Sequence, residues 1–277
     1  MRFFWKGSDV PAHGARVNWK QVCFLRSEGG LGLKSLECWS KTCLFYLIRN
    51  ILADEGSLWV AWLKTYVFKN DGFWTIPCKP HFSWVVKKLL KMRGDATSLF
   101  SGVSSFVNVN AAWIWEKIRD RSVKVEWQKL VWFSSHVPKH SIIAWMAILN
   151  RLPTKDRLLK MGIALNDVKC VLCLDALETR SHIFFDCPFA AGVWEALLQI
   201  CKLDRGVMHW DEELSWAVAK LKEKSLIFHI LKLAWNAFIY IVWEERNFRL
   251  YRGTSRTVRD LVGSINTLLV LKCKRNV

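Results

Sequence analysis

Apolar residues return at helical spacing along most of the chain. Between Leu36 and Leu52 they recur through Trp39, Cys43, Leu47 and Ile51, which predicts an amphipathic helix. Ser57–Phe68 and Phe82–Met92 read as two more helices, separated by a break over 69–80 that holds Asn70, Asp71, Gly72, Pro77 and Pro80. Ahead of these, Asp9, Pro11, His13 and Gly14 predict a loop and Trp19–Cys23 a short helical turn. Gly29, Gly30 and Gly32 then punctuate the backbone as a turn. Gly94–Asn110 is polar and serine-rich, a linker or a short hairpin. Ala111–Arg121 and Val125–Phe133 are helical candidates that carry Trp113, Trp115, Trp127 and Trp132.

Pro138 interrupts the next segment, and Ile142–Leu149 is strongly apolar beyond it. Leu152–Leu158 opens a further helix, with Thr154 as N-cap and Gly162 as stop. Pro188 suits the first turn of a helix through Trp194 to about Gln199. Asp211, Glu212 and Glu213 precede an apolar helix near Leu214, where their charge favours its N-terminus. Leu226–Trp243 is the nearest approach to a membrane span. Lys232 falls centrally in it, beside His229 and Asn236, so a buried or partner-facing helix is expected instead. The expected fold class is mainly α: helical, bundle-like segments with one small metal-binding module.

That module reads Cys170-Val-Leu-Cys173, then His182, then Cys187 directly before Pro188. Two Cys separated by two residues can aim both sulfurs at one ion from a tight turn, and a His and a Cys near the next helix start complete a tetrahedron. A Cys3His set closes the shell, so the expected cofactor is one structural Zn2+ that folds the segment and does no chemistry. Taken singly, each of these residues reads as well as a buried thiol or a core histidine. Cys201 is a poorly spaced spare, and Glu178 either hydrogen-bonds the site or faces water. Lys169 and Arg180 could offset the negative charge of three thiolates.

The chain of 277 residues carries 41 Lys and Arg against 24 Asp and Glu, a formal charge of +17, which attracts polyanions. Two clusters are candidates for phosphate contact: Lys87, Lys88, Lys91 and Arg93, and a ridge of Arg249, Arg252, Arg256 and Arg259 if the tail is helical throughout. A solvated helix face is the alternative for both. The 17 Trp and 16 Phe need packing partners inside the chain or across an interface. No apolar run follows the basic start Met1–Gly7, so the nine Cys read as intracellular thiols. No phosphate-binding glycine fingerprint, nucleophile elbow or His-Glu-x-x-His motif is present. His136 and His140 read as surface or packing residues, and Glu116 with Asp120 and Glu244 with Glu245 as surface pairs.

The residues Trp127-Gln-Lys-Leu-Val-Trp132, Pro138-Lys139, Trp145, Leu152–Leu158, Gly162, Cys170-Val-Leu-Cys173, Glu178, His182-Ile-Phe-Phe-Asp-Cys187-Pro188 and Val193-Trp194 resemble the reverse-transcriptase zinc-binding domain family. This is the region that follows the polymerase in plant non-LTR (LINE-type) retroelements. Phe4-Trp5, Trp19, Glu28–Leu33 and Leu58-Trp59 to Tyr66 are similar to the segment just downstream of such a polymerase core. The resemblance implies four stretches: a post-polymerase helical segment (1–69), a linker with a basic helix (70–110), the zinc-binding domain (111–200) and a basic helical extension (201–277). It implies the same four zinc ligands, a retroelement origin that includes a degenerate remnant, RNA or DNA as partner, and a nuclear setting. The Tyr-x-Asp-Asp polymerase motif is absent, as are recognisable endonuclease and ribonuclease H sites. The expected function is thus a non-catalytic, zinc-stabilised nucleic-acid-binding region. It takes no small-molecule substrate and has no membrane role. The alternative is a protein-interaction module that uses its aromatic-rich helical surfaces.

Overall fold

The computed structural model describes residues 17–55, 57–69, 71–220 and 225–274. The expected loop at Asp9–Gly14, the start Met1–Gly7 and Arg275 lie outside them. In chain order the elements are α1 (Trp19–Cys23), a 3-10 turn (Arg26–Glu28), α2 (Leu36–Ala53), α3 (Leu58–Trp62) running into a π-helical segment (Leu63–Phe68), α4 (Trp84–Lys91), α5 (Arg93–Phe100) and α6 (Ala111–Ile118). There follow α7 (Gln128–Val131), α8 (Pro138–Ile148), α9 (Lys155–Lys160), a second π-helical segment (His182–Asp186), α10 (Pro188–Ile200), α11 (Trp210–Lys220), α12 (Leu226–Arg252) and α13 (Val258–Lys274). Among the described residues the fold is α-helical, and the isolated β pairing is the antiparallel bridge between Lys169 and Leu177.

These elements form two compact units, Leu31–Ser122 and the combination of the chain start with Val123–Val277. In the first, α2 and α4 bury Phe45, Ile48, Val86 and Leu89 in one apolar cluster. The serine-rich stretch expected as a linker or hairpin is helical over Arg93–Phe100. Ala96 and Phe100, four residues apart, join that cluster, so tertiary burial overrides the weak propensity of Gly94, Asp95, Thr97 and Ser98.

In the second unit the long apolar segment is its central helix, α12. Leu233, Ala234, Trp235, Phe238, Ile239 and Val242 are buried all round it. This helix is long and apolar enough to cross a membrane, and here its apolar surface is the core of a helical unit. Pro138 does not interrupt a helix; it occupies the first turn of α8, where a missing N–H costs nothing. Residues 201–277, expected as an extension, supply α11, α12 and α13 to the same unit as the Cys/His segment. Glu213 is buried and does more than favour a helix N-terminus. Its carboxylate accepts from Arg205 at 2.6 and 2.9 Å and from the Met208 amide at 3.0 Å.

The glycine turn has a packing role. Gly29 adopts φ 84°, and its carbonyl accepts from the buried Trp145 indole at 2.8 Å and from Gln21 at 2.9 Å. A Cβ on Gly30 would lie 2.1 Å from the Phe24 carbonyl oxygen and 2.6 Å from that of Gln21. Backbone must move to admit it, so Gly30→Ala is expected to cost about 2–3 kcal/mol in urea unfolding. Gly192, inside α10 with open space around its Cα, is the control. Its alanine variant should be neutral or stabilising by about 0.5–1 kcal/mol. Equal effects at the two positions would show that Gly30 is not wedged.

Candidate metal centre

The hairpin that carries the first two cysteines is built from backbone bonds. The Cys170 amide donates to Ala176 O at 2.7 Å, the Leu174 amide to Cys170 O at 2.8 Å, and the Glu178 amide to Val168 O at 3.0 Å. Leu174 takes φ 63°, which closes the turn directly after Cys173. The Leu172 amide points at Cys170 Sγ from 3.4 Å. Both sulfurs are thereby aimed to the same side of the knuckle.

His182 and Cys187 face a geometric difficulty. Five residues on an α-helix turn through about 500°, leaving the two side chains about 140° apart. The chain instead makes a π-helical turn over His182–Asp186, closed by the Cys187 amide on His182 O at 2.7 Å. That wider turn brings positions five apart onto one side. Cys187 then caps α10, with Pro188 in its first turn as expected. The residues between the two ligands, Ile183, Phe184 and Phe185, are buried. Phe185 stacks on Phe238 of α12 with ring centroids 5.3 Å apart and meets Trp194 at 6.1 Å; Phe184 meets Trp210 at 5.4 Å.

The outcome is a closed cluster. The ligand atoms of Cys170, Cys173, His182 and Cys187 all lie within 4.8 Å of one another, and Cys173 Sγ is 3.2 Å from His182 Nε2. Tetrahedral ligands at about 2.3 Å from an ion stand about 3.8 Å apart, so small side-chain shifts suffice to close the shell. Cys170 and Cys187 share a hydrogen bond that raises the Cys170 thiol pKa and lowers that of Cys187. A bound cation replaces such protons. Three soft sulfurs and one imidazole suit zinc, and they leave no protein-free position for a reacting water. Cys201 is buried at the end of α10 and takes no part in the cluster.

Glu178 neither joins this cluster nor faces water. It is fully buried, and its carboxylate accepts from Arg246 Nη2 at 2.7 Å and Nε at 3.1 Å, and from the Lys155 amide at 3.0 Å. The last bond caps α9, the role expected of the Thr154 side chain, whose hydroxyl donates instead to Asp156 at 2.6 Å. Lys155 in turn reaches Asp167 at 2.9 Å and the Lys169 carbonyl at 2.7 Å. The metal hairpin is thus tied to α9 and to α12 by charged groups.

Several basic residues are also placed differently from expectation. Arg180, proposed to offset the cluster's charge, lies over Trp210 at 4.6 Å and reaches Asp211 at 3.4 Å. Arg249 instead donates to Leu172 O, inside the knuckle, at 3.0 Å and packs on Phe189 at 4.3 Å. The single arginine ridge does not form, because Gly253 at φ 65° ends α12 after Arg252 and Arg259 belongs to α13. Arg249 and Arg256 hold the buried Glu245 carboxylate, each at 2.8 Å. Bonds from both hold the Glu245 pKa down against the opposing effect of burial, so this residue is no surface pair with Glu244. Arg93 is committed to Ile76 O at 2.6 Å and Lys87 to Pro80 O at 2.5 Å. Lys88, Lys91, Arg252 and Arg259 are exposed and form no ion pair among the described residues. His140 packs as expected: it is buried against Tyr240, ring centroids 4.3 Å apart, and burial lowers its pKa to about 4.

Neither a curated protein nor a solved structure matches this chain. Residues 109–194, which take in all four clustered ligands, match the family model described as zinc-binding in reverse transcriptase.

Proposed function

We propose that this chain is a non-catalytic, zinc-stabilised accessory region of a non-LTR retroelement reverse transcriptase, and that it holds RNA or DNA. The observation that carries the reading is the closed Cys3His cluster inside the segment that matches the reverse-transcriptase zinc-binding model. Zinc here folds a hairpin onto a helical core. The charge of +17 supplies the attraction for a polyanion, and the resemblance to plant elements supports the origin and a nuclear setting.

Lys88 and Lys91 in the unit Leu31–Ser122, and Arg252 and Arg259 in the unit that holds the cluster, are two separate pairs of contacts that we assign to phosphate. Each pair by itself gives a salt slope near −1.8 on a duplex and near −1.4 on a single strand, so affinity should fall roughly tenfold between about 50 and 200 mM salt. Fluorescence titration of the metal-loaded chain against labelled RNA and DNA measures this. Absent or salt-independent binding would overturn the reading.

One observation favours a protein partner as the second reading. Leu58, Trp62 and Tyr66, four residues apart in turn, are 91%, 50% and 65% exposed on one face of a helical segment. A defined oligomer without affinity for nucleic acid, in sedimentation velocity, would favour that alternative.

A further inference from the structure

Along the second half of α12, side chains three and four positions apart line one open side of the helix. Tyr240, Trp243, Asn247, Phe248, Tyr251 and Arg252 form a cleft of about 520 Å³, closed opposite by Ile143 and Pro153. That volume lies within the roughly 300–1,000 Å³ of small-ligand sites. The floor is aromatic, with Trp243 only 5% exposed, while Tyr251 stands 73% exposed at the rim.

The polar groups around it are unevenly charged. Glu244 is already engaged, accepting from the Tyr240 hydroxyl at 3.1 Å and from Arg256 at 3.2 Å. Arg252 lies over the Phe248 ring at 4.5 Å and Lys139 over the Tyr240 ring at 4.7 Å; neither forms an ion pair among the described residues. Asn247 accepts from Arg246 through Oδ1 at 3.1 Å, and its amide nitrogen stays available to donate. The cleft therefore combines aromatic rings, a cation in its lining and another beside it that make ring contacts but no ion pair among the described residues, and one hydrogen-bond donor.

We propose that this cleft is a nucleobase-binding site for single-stranded nucleic acid. One unstacked base lies against the exposed ring of Tyr251, Phe248 being already covered by Arg252 and by Arg256 at 4.9 Å, and Arg252 and Lys139 meet the flanking phosphates. A ring-shaped, amphipathic ligand with negative charge on both sides matches all three features, and a base still stacked inside a duplex cannot enter a concave aromatic site. The assignment rests on the nucleic-acid reading above and names where that contact is made.

The test uses the full metal-loaded chain with fluorescent oligouridine and oligothymidine, and with a duplex of the same length. Single strands should bind more tightly than the duplex. Tyr251→Ala should weaken single-strand binding about tenfold and leave duplex binding unchanged, while Tyr251→Phe retains affinity. Arg252→Ala should weaken binding and reduce the salt slope by about one contact. Tyr251 is exposed, so circular dichroism and metal content should match the parent chain. If the parent binds with the expected salt dependence but Tyr251→Ala and Arg252→Ala do not alter affinity, the cleft assignment and the Arg252 phosphate contact fall, while nucleic-acid binding itself stands. No binding by the parent overturns both. Concentration-dependent dimerisation that Tyr251→Ala abolishes, with single-strand affinity unchanged, would give the cleft to a second copy of the chain and overturn the proposal.

Discussion

Removing the metal should cost the unit that contains the cluster most of its stability. Structural zinc in small domains contributes about 10–16 kcal/mol of apparent binding free energy, against roughly 5–15 kcal/mol for the net stability of a whole domain. The coupling is direct here. The ligand pair His182 and Cys187 brackets Ile183, Phe184 and Phe185, which pack into the core beside Trp194, Trp210 and Phe238. The other pair sits on a hairpin whose Leu172 carbonyl is held by Arg249 of α12. Loss of the ion frees both halves of the knuckle and loosens the aromatic layer behind them. Even about 5 kcal/mol lost from a unit of this size lowers Tm by roughly 10–20 °C. All four ligands lie outside residues 31–122. Calorimetry with and without chelator should therefore show one transition that shifts downward and one that stays. Cys173→Ala should reproduce the shift without chelator. Two unmoved transitions would contradict the structural role.

Arg246→Ala should be the most damaging single substitution away from the ligands. Arg246 and Glu178 are fully buried partners at 2.7 Å. Removing one leaves the other charged and unsolvated, which costs about 3–5 kcal/mol, or roughly 6–20 °C in Tm. Part of the effect should be recoverable. In the double variant Arg246→Met with Glu178→Gln, the glutamine oxygen still accepts from the Lys155 amide and no lone charge remains. Its loss should be clearly smaller than that of Arg246→Ala. A change under about 1 kcal/mol for Arg246→Ala in urea unfolding would show that the pair does not lock α12 to the metal hairpin.

These two expectations differ in how far the sequence announced them. The Cys and His spacings show the cluster by themselves, because a Cys-x-x-Cys pair and a following His and Cys have few structural uses together. The helices Leu36–Ala53, Trp84–Lys91 and Pro188–Ile200 follow from periodicity and from proline and capping residues. Other features depend on contacts distant in sequence. Glu178 and Arg246 are 68 positions apart, so no local pattern links them, and both look like surface residues. Glu245 and Glu213 bond to arginines only 4, 11 and 8 positions away, and it is their burial that no local pattern shows. The π turn at His182–Asp186 leaves no periodic trace, although five-residue ligand spacing ahead of a helix start is a signal that could have found it. Spacing alone reads Arg249 as a phosphate contact or a solvated position on a continuous helix, while Gly253, which breaks that ridge, is visible in the sequence.

X-ray absorption at the zinc edge, together with metal analysis of the purified chain, tests the central claim most directly. About one zinc per chain is expected, in a four-coordinate shell of three sulfurs near 2.3 Å and one nitrogen near 2.0–2.1 Å. It should be lost on replacing Cys173 or His182 by Ala. A chain without zinc, a shell of oxygen and nitrogen alone, or undiminished zinc in both variants would contradict the assignment of Cys170, Cys173, His182 and Cys187 as its ligands.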